Sequence, residues 1–308
     1  MIEDRSTVLK PTAKPLVIAH RGASGLAPEN TMSAFKLAVS LGVDGIELDV
    51  QLSADGRAVV MHDLRVDRTT NSRGQVSRFT AEDFRRMDAG SWFKRRLRTR
   101  PRLRSEIDSC SAAYKLPNTG ASAEHVPVLE DVLDLARRAN LKRLFIELKG
   151  WPKTTRPLLP MVINLIRDFR MEEQARVISF DHDLIEQAGS LDDRIRTGAL
   201  FSLAHPATIG VRSVIRALEQ SRAKEAALPF GLATPRMIDA LHRREIPILV
   251  WTVNSKLIMR RLAAAGVDAI ITNFPNRLTQ VLEAGGGKIP IRERLRAGRL
   301  RKRARSGR

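Results

Sequence analysis

The chain has 308 residues, 43% of them hydrophobic, and a formal net charge of +19. That length and apolar content suit one large domain or two ordinary ones, and no apolar run is long enough to span a membrane. A single cysteine, Cys110, excludes an intramolecular disulfide and a cysteine-rich zinc site.

Taken in chain order, residues 1–15, MIEDRSTVLKPTAKP, lack the apolar core of a secretory signal and read as an N-terminal extension of a cytoplasmic protein. The first β-like run, 16–19, stops on His20-Arg21-Gly22. A helix is expected over 31–41, with Asn30 as its N-cap. The second run, 45–50, carries Glu47 and Asp49. A further run at 58–61 follows after only five residues, Ser53-Ala54-Asp55-Gly56-Arg57, and Asp-Gly is a hairpin signal. This run must therefore return antiparallel to the second. With Asp55-Gly56 as a two-residue loop, residue 54 pairs with 57 and residue 49 with 62, which sets Asp49 opposite His62. A one-residue slip would break that pairing.

Residues 63–126 form an excursion much longer than a usual barrel loop, expected to lie over the catalytic end as a lid or subdomain. Within it, residues 94–104 hold seven basic side chains and no acidic one, just after Trp92 and Phe93. Helix-like and strand-like stretches then alternate: helices at 128–139, 157–169, 234–244 and 255–265, and strands at 143–148, 176–179, 197–201, 225–228, 247–253 and 269–272. Eight strands alternating with helices predict a (β/α)8 TIM barrel over residues 16–284, with a hairpin extension of the second strand. A doubly wound open sheet is the alternative, but its GxGxxG loop is absent. After Gly285-Gly286-Gly287 comes a basic tail, 285–308, with ten basic residues and one glutamate. The two basic segments carry +16 of the net +19, so the body is nearly neutral. Arginine outnumbers lysine 41 to 12, which a GC-rich genome would explain, although it would not cluster the charge.

Barrel active sites stand at the C-terminal ends of the strands. Those ends carry His20-Arg21, Glu47-Leu48-Asp49, His62-Asp63, Glu147-Leu148-Lys149, Trp251 and Asn273. Each signal alone has an ordinary structural reading. Together they put three carboxylates, two histidines and two cations on one face, and carboxylates inside apolar strands are costly unless paired or metal-bound. Glu47, Asp49 and Glu147 offer hard oxygen ligands that suit one divalent cation, Mg²⁺ or Ca²⁺. Arg21 and Lys149 suit a phosphate. His20 and His62 can divide the proton transfers of diester hydrolysis. Glu29 is a candidate for the same polar network, and Asp63 either orients a neighbour or caps a turn. Trp251 is either core or pocket wall. His125, His182, His205 and His242 have no partner pattern and read as surface or turn residues.

The blocks HRGASGLAPENTMSAF, GVDGIELDVQLSADGRAVVMHD, RTTNSRGQV, VPVLEDVL, FIELK, VWTVN and IITNFP resemble the glycerophosphodiester phosphodiesterase family, in order from about residue 17 to 275. The resemblance implies a TIM barrel and metal-dependent hydrolysis of glycerophosphodiesters to glycerol 3-phosphate and an alcohol. It implies His20 and His62 as the acid/base pair and Glu47, Asp49 and Glu147 as metal ligands. It also implies Arg21 and Lys149 on the phosphate, with Trp251 lining the pocket. A lysophospholipase D-type activity on lysophospholipids is the alternative within that class. An inactive barrel delivered to anionic membranes or nucleic acid is the alternative outside it, and a retired enzyme would have lost some of these residues. For the basic segments, 94–104 and the tail, peripheral contact with an anionic membrane is favoured over solvated charge or nucleic acid. The tail has few aromatics, which weakens stacking on single strands.

Overall fold

The computed structural model describes residues 14–114, 124–203 and 210–284. Eight strands run parallel: β1 (Leu16–His20), β2 (Gly45–Leu52), β4 (Arg143–Leu148), β5 (Ala175–Ser179), β6 (Arg196–Leu200), β7 (Glu225–Pro229), β8 (Ile248–Trp251) and β9 (Ala269–Thr272). Each pairs with the next, and β1 pairs with both β2 and β9, so the sheet closes on itself. Closure excludes the open doubly wound sheet. Both faces of these strands are buried, which is why they read as nearly continuous apolar runs. Inward side chains such as Ile18, Phe145, Ile178, Leu200 and Leu249 fill the barrel, and outward ones such as Ala19, Leu48, Val50 and Ile146 pack under the helices.

The outer layer comprises α1 (Met32–Ser40), α5 (Leu129–Arg138), α6 (Pro152–Asp168), α7 (His182–Leu191), α8 (Val211–Ser221), α9 (Pro235–His242), α10 (Lys256–Ala265) and α11 (Pro275–Ala284). Thr31, not Asn30, caps α1: its side chain accepts from the Ala34 N–H. Helix α6 begins five residues before the expected 157, with Pro152 in its first turn. Helices α7, α8 and α11 were not among the expected ones, although Asp181 caps α7 two residues past a strand.

The hairpin return, β3 (Ala58–Val60), is antiparallel to β2 as expected, but its register differs by one residue. Val50 pairs with Val60 and Leu52 with Ala58, which sets Asp49 opposite Met61 rather than His62. The reason lies at the tip. Ser53 pairs with Arg57 and leaves a three-residue loop, Ala54-Asp55-Gly56, with Gly56 at φ +73°. Left-handed backbone at that point is the three-residue hairpin geometry.

The excursion carries its own elements, α2 (Ala81–Arg86), α3 (Ser91–Arg98) and α4 (Pro101–Tyr114). A small separate core of Val59, Met61, Val66, Phe84, Met87 and Val126 joins it to the hairpin. The basic stretch 94–104 falls in α3 and the start of α4, with Thr99 and Arg100 between them. Phe93, Leu103 and Ile107 face the main core, while most of the arginines point outward. The tail, 285–308, and most of the N-terminal extension lie outside the described residues. At the floor of the barrel, Arg176 on β5 and Glu225 on β7 form a buried pair at 2.9 Å. Gly198 on β6 lies close by, and a Cβ there would crowd the Ile178 side chain at 3.0 Å.

Candidate active site at the barrel mouth

Strand register builds the site. Glu47 and Asp49 lie two apart on β2, on one face, and Glu147 is the direct partner of Asp49 on β4. All three are buried, and one carboxylate oxygen from each lies within 4.8 Å of the others. Two cations oppose them. The backbone N–H of Arg21 donates to Glu47 Oε2 at 3.0 Å, its Nε lies 3.1 Å from Asp49 Oδ2, and its Nη1 donates to Glu29 Oε1 at 2.7 Å. Lys149 Nζ lies 2.6 Å from Glu147 Oε1 and 3.5 Å from Asp49 Oδ1. Arg21 and Asn30 both take left-handed backbone, at φ 54° and 56°. Asn30, freed from the capping role, donates to Asp49 Oδ2 at 2.9 Å.

The two histidines have different supports. His20 Nδ1 is 2.6 Å from Asn273 Oδ1, an oxygen that can only accept, so Nδ1 carries the proton and Nε2 the lone pair. That Nε2 lies 3.9 Å from Glu47 Oε2. Burial, helped by the Arg21 charge, pushes the His20 pKa down to about 4. His62 Nδ1 lies 2.6 Å from Asp63 Oδ1. Arg68 then ties Asp63 to Glu29, donating to Asp63 at 2.5 Å and to both oxygens of Glu29 at 2.8 and 2.7 Å. Burial lowers the His62 pKa, with Arg21 and Lys149 acting in the same direction against Asp49 and Asp63. Because β3 ends at Val60, no ladder holds His62. Gln51 does so instead: its buried Nε2 reaches the carbonyls of Met61, His62 and Asp63 at 2.9, 3.2 and 2.6 Å.

Every residue singled out at the strand ends thus converges on one mouth, including His62 despite the register slip. Trp251 is half-buried. Its Nε1 donates to the Ala227 carbonyl at 3.1 Å, and its ring meets Phe180 edge-on at 5.7 Å. Lys149 Nζ stands 5.6 Å from the Phe180 ring centre, so Trp251 belongs to the wall beside that lysine. Outside the mouth, His182 bonds the Leu200 carbonyl at 3.0 Å and His242 meets Asp268 at 2.8 Å. His125 is exposed, and His205 lies outside the described residues. The supporting residues Arg68, Asn30, Gln51 and Asn273 carried no separate signal, apart from the position of Asn273 at a strand end.

The donor set fits a hard divalent cation. Asp49 Oδ1 is buried and makes no hydrogen bond. Burial and the crowding of negative charge push Glu47 well above the usual carboxylate range and Glu147 up to about 7. Burial also works against ionised Asp49, but Arg21 and Lys149 outweigh it and hold the pKa down to about 2. Three carboxylates thus face two fixed positive charges, and a cation with oxygen preference would balance the remainder.

The model of the glycerophosphoryl diester phosphodiesterase family matches residues 20–277 of this sequence, a span that holds every residue of the mouth. The chain belongs to that family. A glycerophosphodiester phosphodiesterase from Caldanaerobacter subterraneus subsp. tengcongensis is 33% identical over 89% of the chain and the whole of the relative. One from Bacillus altitudinis is 32% identical over 87% of the chain and 98% of the relative. A crystal structure of a Silicibacter pomeroyi protein superposes with a TM-score of 0.76 at 27% identity, covering 89% of this chain and 95% of that one. The barrel is therefore the fold of this family, and the chain is a phosphoric diester hydrolase acting on glycerophosphodiesters. Among the described residues, no helix is long and apolar enough to cross a membrane.

Proposed function

We propose that the mouth releases sn-glycerol 3-phosphate and an alcohol from glycerophosphodiesters in a metal-dependent reaction. Glu47, Asp49 and Glu147 hold one divalent cation, Mg²⁺ or Ca²⁺, which supplies positive charge where the diester's own charge grows in the transition state. Arg21 and Lys149 orient the phosphoryl group, Arg21 as a planar fork and Lys149 as a point charge. The observation that carries this reading is the set of three buried carboxylates within 4.8 Å, faced by two cations and flanked by two histidines with unlike supports.

Those supports divide the proton work. His20 leans on a neutral amide, whose pull toward the imidazolium is outweighed by burial and the Arg21 charge, so its Nε2 keeps its lone pair and accepts the nucleophile's proton. His62 leans on a carboxylate, which stabilises its charged form, and so it protonates the leaving alkoxide. The test is glycerol 3-phosphate release from glycerophosphocholine and glycerophosphoethanolamine, after chelation and with Mg²⁺ or Ca²⁺ restored. His20→Ala should abolish release from every substrate. His62→Ala should spare a diester with a nitrophenol leaving group, which needs no proton. Equal loss on both kinds of substrate would reverse the assignment, and release unaffected by chelation would remove the metal.

A second reading, hydrolysis of lysophospholipids, is favoured by one feature. A cavity of about 410 Å³ beside the mouth has Leu52, Leu64 and Trp151 in its wall. Turnover of lysophosphatidylcholine above that of glycerophosphocholine would establish it.

A further inference from the structure

Single exposed hydrophobic side chains are ordinary on any protein, but a one-sided distribution is not. Among the described residues the large exposed ones are Leu64, Trp151, Phe180, Leu191, Leu203, Phe230 and Leu257. Leu64 follows His62 and Asp63 after the β3 return. Trp151, Phe180, Leu203, Phe230 and Leu257 each stand just past the C-terminal end of a successive strand, β4 through β8. Only Leu191 lies elsewhere, at the far end of α7. Trp151 is 66% exposed and Leu203 61%.

The remaining arc of the rim, from β9 to β1, is covered by α3 and α4. Glu106 of α4 pairs with Arg277 and accepts from Asn276, in the first turn after β9. Glu124 accepts from the Ser33 N–H at the start of α1, and its carbonyl accepts from Ala89 at 2.7 Å, just before α3. The outer side of these helices exposes Lys94, Arg95, Arg98, Arg100, Arg102 and Arg104, with no acidic residue in 94–104. The rim is thus apolar along one arc and cationic along the other. The acids on the apolar side are few, and Asp181 among them is engaged in capping α7.

We propose that this rim is a membrane-docking surface that sets the barrel mouth against an anionic phospholipid bilayer. It rests on reading the mouth as the place where substrate enters. An indole and bulky aliphatic side chains around a mouth suit the interfacial zone of a bilayer, where tryptophan concentrates. Clustered Lys and Arg add attraction to anionic headgroups, which salt weakens. A nucleic-acid strand would need aromatics interleaved with the cations for stacking. Here the two occupy different arcs, and Trp92 and Phe93 beside the arginines pack against each other at 5.6 Å.

The test uses the full chain with vesicles of phosphatidylcholine alone and of phosphatidylcholine with phosphatidylglycerol, by co-sedimentation and tryptophan emission. The chain has three tryptophans, and Trp151 is the exposed one, with Trp92 and Trp251 half-buried. Docking should shift emission to the blue on anionic vesicles, and Trp151→Phe should remove most of the shift while sedimentation persists. Leu203→Ser with Phe230→Ser should weaken partitioning about tenfold or more. Arg95→Glu, Arg98→Glu and Arg102→Glu together should weaken it about tenfold at low salt and flatten the salt dependence. Far-UV circular dichroism and cooperative melting establish that each variant is folded. Three results would overturn the proposal. One is no binding to any vesicle at low salt, and another is binding that survives the rim substitutions with Trp151 emission unmoved. The third is single-stranded RNA bound as tightly through the same arginines. No substrate enters the experiment, so its failure would leave the hydrolytic reading standing, and loss of hydrolysis would leave the docking result standing.

Discussion

Asn273 gives the sharpest handle on His20. Its amide oxygen is the 2.6 Å partner of His20 Nδ1, and among the described residues no other hydrogen bond holds the imidazole in that tautomer. The backbone around both residues is pinned independently: Asn254 Oδ1 accepts from the Asn273 N–H at 3.0 Å, the Asn273 carbonyl accepts from Gly25 at 2.8 Å, and Ser24 Oγ donates to the His20 carbonyl at 2.7 Å. Truncation to Asn273→Ala therefore frees the ring without collapsing the loop. Loss of a buried hydrogen bond of this kind costs about 1–3 kcal/mol, which corresponds to a fall in kcat of about 5- to 150-fold. In the proposed mechanism substrate binding runs through Arg21 and Lys149, so KM should stay within about twofold. Asn273→Asp makes a second, opposite test. A carboxylate behind Nδ1 stabilises the imidazolium and raises the His20 pKa from about 4. His20 must be neutral to accept a proton, so the acid limb of kcat/KM should move to higher pH, and activity that the wild type keeps on the acid side is lost. The assay is glycerol 3-phosphate release across pH at saturating cation. Unchanged kcat in Asn273→Ala, or an unmoved acid limb in Asn273→Asp, would refute the role given to this pair.

Cation binding should release protons, because Glu147 is pushed up to about 7 and Glu47 well above its usual range, and both must ionise to bind. Affinity should therefore rise as pH increases through about 7, and calorimetry in two buffers of different ionisation enthalpy should give different heats; equal heats would contradict it. At the barrel floor, Arg176→Met leaves Glu225 buried beside one fewer cation and should cost about 3–5 kcal/mol. The double change Arg176→Met with Glu225→Leu should recover most of that loss in denaturant unfolding, and a double variant no better than the single would count against a simple ion pair. Gly25→Ala brings a Cβ within 2.5 Å of the Phe274 ring and 2.6 Å of the Asn273 carbonyl. It should lower stability by about 1–3 kcal/mol in calorimetric melting and depress kcat through Asn273, and a silent substitution would mean that this loop yields freely.

The barrel was legible because its strands are buried on both faces, so acidic residues such as Glu47, Asp49 and Glu147 stand out against the apolar background. The hairpin was legible as a hairpin, but its register hung on whether Gly56 closes a two- or a three-residue loop, a choice that Ser53 and the local backbone make. Asn30 and Thr31 are both good caps by type. Only the fold reveals that Asn30 is needed by Asp49, nineteen residues on. The helices of the excursion were hidden because their arginines mask the apolar stripe of Phe93, Leu103 and Ile107. Arg68 reaches Glu29 across 39 positions and Asn273 reaches His20 across 253, separations that no local pattern encodes.

The His20–Asn273 contact spans 253 positions, and the α4 anchor to Asn276 spans 170. Both are made only after the final strand has closed on the first. A ribosome delivers His20 early and its partner last, so a nascent chain carries all three carboxylates of the mouth while its first histidine still lacks orientation. Closure of the sheet and completion of the mouth are therefore one event, and a chain stalled before residue 273 has its clustered carboxylates but no partner for His20 Nδ1.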